Sequence, residues 1–325
     1  MKKNRIINAL GIDIGGTNIK FVIINNSGEI IDFLEIESKA EVGRKFILGN
    51  IITGIEKILS KNKKIKIEGV GVGTPGLVNE EGKVVTGASN LKGWNGTPIK
   101  KILEKKLNIP VYVDNDVTAL ALGEAYFGAG RGYKNVICLA LGTGLGGGII
   151  IDKKIYRGRF GYAGEFGHIV VNPNGPRCTC GKIGCLETYA SSWGLKRMAI
   201  KFFENNKDSL IYKNVKNNLN EITPKIIFDA YSKNDKIAIE ILNIMGNYLG
   251  MGIGILVNIF DPDVIIIAGG IAKAGKVLID LIYKYIYKYT LNFFEGKVKL
   301  KISKFKNKAG AIGSASLFFE RKRIF

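Results

Sequence analysis

Histidine occurs once in this chain of 325 residues and cysteine four times. So few cysteines argue against a disulfide scaffold, because small secreted folds need such bridges and a chain able to bury a large core does not. The opening MKKNRIINAL is basic but lacks an apolar segment or a small-residue cleavage site, which argues against a secretory signal peptide. No GxxxxGK[ST] motif occurs, so P-loop nucleotide binding is excluded. Gly71 to Gly76 and Gly142 to Gly147 match GxGxxG, yet a dinucleotide fingerprint must open a helix. The first runs into a proline turn and the second into GIIID, a β-branched strand. The charge-free run from Ile244 to Phe260 is interrupted by Asn247, Asn258 and four glycines, and is short for a membrane span. It reads as a buried helix whose small residues allow close packing. The net charge of +20 comes from scattered lysines with no basic block beside stacking aromatics. That pattern fits a lysine-rich composition better than a nucleic-acid surface. With 46% hydrophobic and 23% charged residues, the expectation is a cytoplasmic globular protein of two domains, with no membrane or nucleic-acid partner.

The one histidine, His168, ends the run GYAGEFGH, and three cysteines follow in CTCGKIGCLE: Cys178, Cys180 and Cys185. One imidazole and three thiols within a short stretch rich in glycine form the donor inventory of a structural zinc site. A surface CxC loop with free thiols is the alternative. Glu165 and Glu187 bracket the group. Cys138, in VICLAL, reads as a small core residue.

The segment ALGIDIGGTNIKFVIIN alternates as a strand, a Gly-Gly turn and a second strand, and VICLALGTGLGGGIIID repeats that grammar from Val136 to Asp152. Strand and helix alternations follow each hairpin. The chain therefore reads as two diverged copies of one α/β unit, facing each other across a cleft. Helices are expected near 40–61, after Pro98, over 117–127, 193–206, 224–232 and 237–258, and in the tail AGAIGSASLFFERK. Strands are expected at 67–72, in PVYVDN and in DVIIIAGG.

The turns at Gly15-Gly16-Thr17-Asn18 and Thr143-Gly144 present consecutive backbone N–H groups without side-chain obstruction, which is an anion nest. Two such turns in matching places of a duplicated fold point to phosphate. Asp114-Asn115-Asp116 closes a strand and opens a helix, so Asp116 is either a helix cap or a base at a ligand site, kept ionised by the helix N-terminus.

GIDIGGTNIK, GVGTPGLVN, NLKGW, VDNDVTALALGE, LGTGLGGGIIID, GEFGH and CTCGKIGCLETYAS occur in that order. Together they resemble the ROK family of sugar kinases and sugar-responsive repressors, most of all its glucokinase branch. The resemblance implies an actin-like ATPase fold, α/β, of two ribonuclease-H-like domains with a ligand cleft between them. The division it suggests is 1–117, joined by the terminal helix at about 309–325, and 118–308, which carries the zinc loop. It implies ATP with magnesium as cofactor, a structural zinc on His168, Cys178, Cys180 and Cys185, and assembly as a homodimer or a dimer of dimers.

Asp116 matches the family's catalytic base. Asn115, Glu165, His168 and Glu187, with Gly76 and Asn90, match sugar contacts. Gly15, Gly16, Thr17, Asn18, Lys20, Thr143 and Gly144 match the nucleotide phosphate side, with Asp13 near the magnesium and Gly269-Gly270 on the nucleotide loop. The chain departs from the family after Asp116, where Val117-Thr118 stands in place of Ala-Asn. The implied activity is transfer of the γ-phosphate of ATP to the 6-hydroxyl of a hexose, glucose first. N-acetylmannosamine or N-acetylglucosamine kinases and a sugar-responsive regulator are the alternatives. About ten residues precede the first hairpin, too few for a helix-turn-helix module.

Overall fold

The computed structural model describes residues 5–88, 90–216 and 218–324. β1 (Asn8–Ile14) and β2 (Asn18–Asn25) form the first expected hairpin, with Asp13 opposite Lys20 and Ile14 opposite Ile19. β3 (Ile30–Glu37) then pairs antiparallel with β2. After α1 (Arg44–Lys61) come β4 (Ile67–Thr74), a ribbon of β5 (Leu77–Val78) and β6 (Val84–Thr86), α2 (Ile99–Leu107), β7 (Val111–Asn115) and α3 (Asp116–Phe127). β4 lies parallel to β1 and β7 parallel to β4, so the first sheet runs β3-β2-β1-β4-β7. Ile47, Ile51, Ile55 and Ile58 recur at helical spacing along α1 and are buried with Leu10, Ile12 and Phe21 of the sheet.

The second half opens with β8 (Val136–Leu141), β9 (Leu145–Ile151) and β10 (Lys154–Ile155), followed by α4 (Glu187–Ala190), α5 (Ser192–Phe202), α6 (Leu210–Asn214) and α7 (Pro224–Tyr231). It continues with α8 (Lys236–Phe260), β11 (Val264–Ala268), α9 (Lys276–Ile286) and β12 (Leu300–Ile302), and α10 (Ala309–Lys322) ends the chain. Its sheet runs β10-β9-β8-β11-β12, the first order repeated strand for strand. β9–β10 is antiparallel and β11–β12 parallel, as are β2–β3 and β4–β7 in the first sheet. The duplication read from two hairpins thus extends through whole sheets.

Packing divides the chain into two compact units: Met1–Cys138, Gly148–Gly164 and Lys304–Phe325 in one, Leu139–Gly147 and Glu165–Ser303 in the other. The first unit therefore includes α3, which a division at 117/118 gives to the second. The reason is a helix contact. A Cβ on Gly123 of α3 would fall 2.7 Å from the Cα of Gly313 in α10, so only glycine lets these backbones meet so closely. The terminal helix presents small residues to the sheet as well, with Ala311, Ile312 and Ala315 buried against Ala9 and Val22. In the second unit α8 is apolar and long enough to cross a membrane by length and composition, yet more than half of its apolar window is buried. It packs on α4, α5, α7 and α9. β3, α9 and β12 were not anticipated; β3 carries alternate acids and is only partly buried, which blurs its apolar signal.

Candidate active site

In the first unit, β7 ends at Asn115 and α3 starts at Asp116. Asn115, not Asp116, is the helix cap: its Oδ1 accepts from the N–H groups of Val117 at 2.9 Å and Thr118 at 3.2 Å. Its Nδ2 donates to the Gly76 carbonyl at 3.1 Å, which ties the loop after β4 to the same point. Asp116 is left as the first helical residue, its Oδ1 accepting from the Val117 N–H at 3.0 Å. The preceding Asp114 is buried and receives Arg157 Nε at 2.8 Å, with Glu320 3.8 Å from the same guanidinium. Sequence reading missed this clamp, since Arg157 lies 43 residues from Asp114.

The turn between β1 and β2 is held by backbone and hydroxyl groups. Gly15 N–H donates to Asn18 O at 2.9 Å, Ser38 N–H to Thr17 O at 2.8 Å and Ser38 Oγ to Gly16 O at 2.7 Å. The N–H groups of Gly16 and Thr17 have no acceptor among the described residues. The Asn18 amide is taken by Glu35 Oε1 at 2.6 Å. Asn90 stands by this turn: a Cβ on Gly16 would be 3.3 Å from its Nδ2. Lys20 Nζ lies 3.9 Å from Asp13 Oδ2, and Gly310 in the first turn of α10 packs on the same carboxylate. Burial raises the Asp13 carboxyl above the usual carboxylate range, Lys20 opposes this and Glu35 adds to it.

In the second unit the turn between β8 and β9 has the same form, with Gly142 N–H on Gly144 O at 2.9 Å and the N–H groups of Thr143 and Gly144 without acceptors among the described residues. Its support is different. Glu187, 8% exposed at the start of α4, accepts from the Leu145 N–H at 2.9 Å through Oε2. Through Oε1 it accepts from Thr179 Oγ1 at 3.2 Å and Trp193 Nε1 at 3.4 Å. A Cβ on Gly144 would sit 2.5 Å from Glu187 Oε2, so glycine is required for the carboxylate to reach the turn. Gly269 (φ +88°) and Gly270 follow β11, and a Cβ on Gly269 would strike the Leu141 backbone at 2.4 Å. Gly269 therefore lies against the end of β8, beside this turn.

Ligand atoms of His168, Cys178, Cys180 and Cys185 all lie within 4.8 Å of one another. Cys180 Sγ is 3.7 Å from Cys185 Sγ, and Cys178 Sγ is 3.8 Å from His168 Nδ1. The edge of a tetrahedron with metal–sulfur bonds of about 2.3 Å is roughly 3.8 Å, so the set fits a tetrahedral ion. Burial and the neighbouring thiols push Cys185 up to about 12, so this thiol favours a proton or a cation beside it. With Nδ1 on the sulfur side, His168 turns Nε2 toward Glu165 Oε2 at 3.8 Å. Burial raises the Glu165 carboxyl, His168 lowers it and Glu187 raises it again. The thiol loop, His168, Glu165 and Glu187 are thus one constellation, which also reaches the second turn.

Repeated five-stranded sheets with a glycine turn after the first strand of each define an actin-like ATPase fold of two domains. The ROK family model matches residues 9–321. A glucokinase of Halalkalibacterium halodurans is 38% identical over 95% of this chain and 94% of its own length. A xylose repressor of Caldicellulosiruptor bescii is 33% identical over 95% of this chain and 77% of its own. The solved structure of a ROK family glucokinase from Streptomyces griseus in complex with glucose and AMPPNP is 33% identical, with a TM-score of 0.82 over 95% of this chain and 98% of that one. The chain belongs to the ROK family.

Proposed function

We propose that the protein is an ATP-dependent hexose kinase that phosphorylates the 6-hydroxyl of glucose. The observation that carries this reading is the junction of β7 and α3, where Asn115 caps the helix through Oδ1 and ties the Gly76 loop through Nδ2, and Asp116 stands at the first helical position, where strand C-termini of α/β proteins meet their ligands. The Asp116 carboxylate takes the proton from the sugar hydroxyl as that oxygen bonds to the γ-phosphorus and the bond to the leaving ADP oxygen breaks. A loose transition state asks mainly for position and late proton acceptance, so an ordinary carboxylate suffices. The unsatisfied N–H groups of Gly16, Thr17, Thr143 and Gly144 hold phosphate oxygens. Asp13 would hold magnesium with the nucleotide, which would supply charge neutralisation at the phosphates.

Glu165 and the Nε2–H of His168 pair with sugar hydroxyls, each of which both donates and accepts. Glu187 has donors from the protein on both oxygens, so its contribution is largely to position the turn and the loop. His168, Cys178, Cys180 and Cys185 would hold a zinc ion, and that coordination would fix the histidine tautomer and the loop. The enzyme works as a homodimer or a dimer of dimers.

A coupled assay with MgATP across hexoses and N-acetylhexosamines tests the reading. Glucose is expected to give the highest kcat/KM, and absence of turnover with every sugar overturns it. The similarity to a xylose repressor supports a second reading, a sugar-responsive regulator. Specific binding of operator DNA without ATP turnover would favour that one.

A further inference from the structure

One cavity of the second unit, about 410 Å³, lies beside the metal loop and is lined by none of the residues assigned above to sugar, nucleotide or metal. Its walls are Asn172 to Pro176, Tyr189, Ile244 and one face of α5. The volume falls in the range of metabolite sites. Its charge is what distinguishes it. Arg197 and Lys201 stand one turn apart on α5 and both line the cavity, while no acidic residue does. Like charges at this spacing destabilise a helix, and nothing in the walls offsets them.

Arg197 is partly buried and makes one hydrogen bond, from Nη2 to the Thr188 carbonyl at 3.1 Å. Its Nε–H is buried without a partner, and no carboxylate pairs with the guanidinium among the described residues. Burial lowers its hold on the proton, the mark of a cation short of compensating charge. Opposite it, the Asn172 amide donates to the hydroxyls of Tyr189 and Tyr248, each at 2.9 Å, and these rings stack at 3.8 Å. The Tyr189 hydroxyl is also hydrogen-bonded to Tyr248, and burial raises it above the ordinary tyrosine range. Met198, Phe202 and Ile244 complete the cavity with apolar surface.

We propose that this cavity binds a small organic anion, with a carboxylate or phosphate head between Arg197 and Lys201 and a short apolar body against Met198, Phe202 and Ile244. Such an anion compensates the two cations and can accept from the unpartnered Arg197 Nε–H. Because the wall continues from Pro176 into Cys178, an occupant bears on the loop that holds the metal ligands.

Calorimetric titration of the full chain, with AMPPNP, magnesium and glucose held at saturation, tests the assignment with three probes: phenyl phosphate, butyrate and inorganic phosphate. The expected result is one saturable site per chain for phenyl phosphate or butyrate, each comparison telling which head is preferred, with inorganic phosphate weaker. Arg197→Gln should weaken the better probe about tenfold or more. Lys201→Gln, at an exposed position that does not threaten folding, should weaken it about two- to fivefold. Binding weaker than about 10 mM for all probes overturns the assignment. So does affinity unchanged in Lys201→Gln, or binding that is seen only when AMPPNP is left out, which would put the anion on the phosphate turns.

Discussion

The turns at Gly15–Thr17 and Gly142–Gly144 share one backbone pattern in two copies of one sheet, but they are held in different ways. The first rests on neutral groups, the Ser38 hydroxyl and backbone amides, and its neighbouring acid, Asp13, is paired loosely with Lys20. The second is tied to a buried carboxylate, Glu187, whose other oxygen reaches Thr179 in the metal loop. Duplication kept the nest and let the support diverge. The first turn is therefore expected to bind phosphate independently of metal, whereas the second depends on the fold of the cysteine loop.

Five experiments bear on that contrast. Asp116→Asn leaves both turns intact and should lower kcat about 10²- to 10⁴-fold, with sugar affinity within about tenfold in equilibrium binding. Cys180→Ser should lose metal by mass spectrometry and lose sugar binding with it. Nucleotide affinity measured by fluorescence should fall but persist, because the first turn remains; unchanged sugar binding in a metal-free variant would break the contrast. Glu187→Gln replaces a charge-assisted bond at the second turn, so KM for ATP should rise about tenfold, equivalent to ~1.4 kcal/mol, while bound zinc stays stoichiometric. Ser38→Ala removes one neutral bond at the first turn, and a rise of about two- to fivefold is expected.

The smallest effect is on pH. Lys20 holds the Asp13 carboxyl down against burial, so Lys20→Met should raise it further. If the ionised form is the active one, the acid limb of kcat/KM for ATP then moves to higher pH. A limb that stays in place would remove Asp13 from the nucleotide side.

What was legible in the sequence lay within short spacings. The ligand set His168–Cys185, the two turns and the Asn115–Asp116 pair each occupy a run whose local chemistry is readable by eye, and the apolar periodicity of α1 and α8 marked those helices. The partners that set the geometry lie far along the chain: Glu187 and Leu145 are 42 residues apart, and Asn115 and Gly76 are 39. Trp193 and Thr179 gave no signal, because a donor aimed at a buried carboxylate has the same local pattern as one facing water. Asp116 looked like a possible cap until the structure assigned that task to Asn115, since both residue types cap helices and only the dihedrals separate Ncap from the first helical position.

The chain by itself therefore determined the elements, the duplication and the inventory of donors, because hydrophobic period, glycine turns and ligand spacing are properties of neighbours. Tertiary structure decided which donors are already taken. It shows Glu187 engaged on both oxygens, Asn90 beside the first turn, and Arg197 in a cavity with no counter-charge among the described residues. Those outcomes follow from desolvation and from pairing across the fold, which act on residues brought together only when the sheets and helices pack.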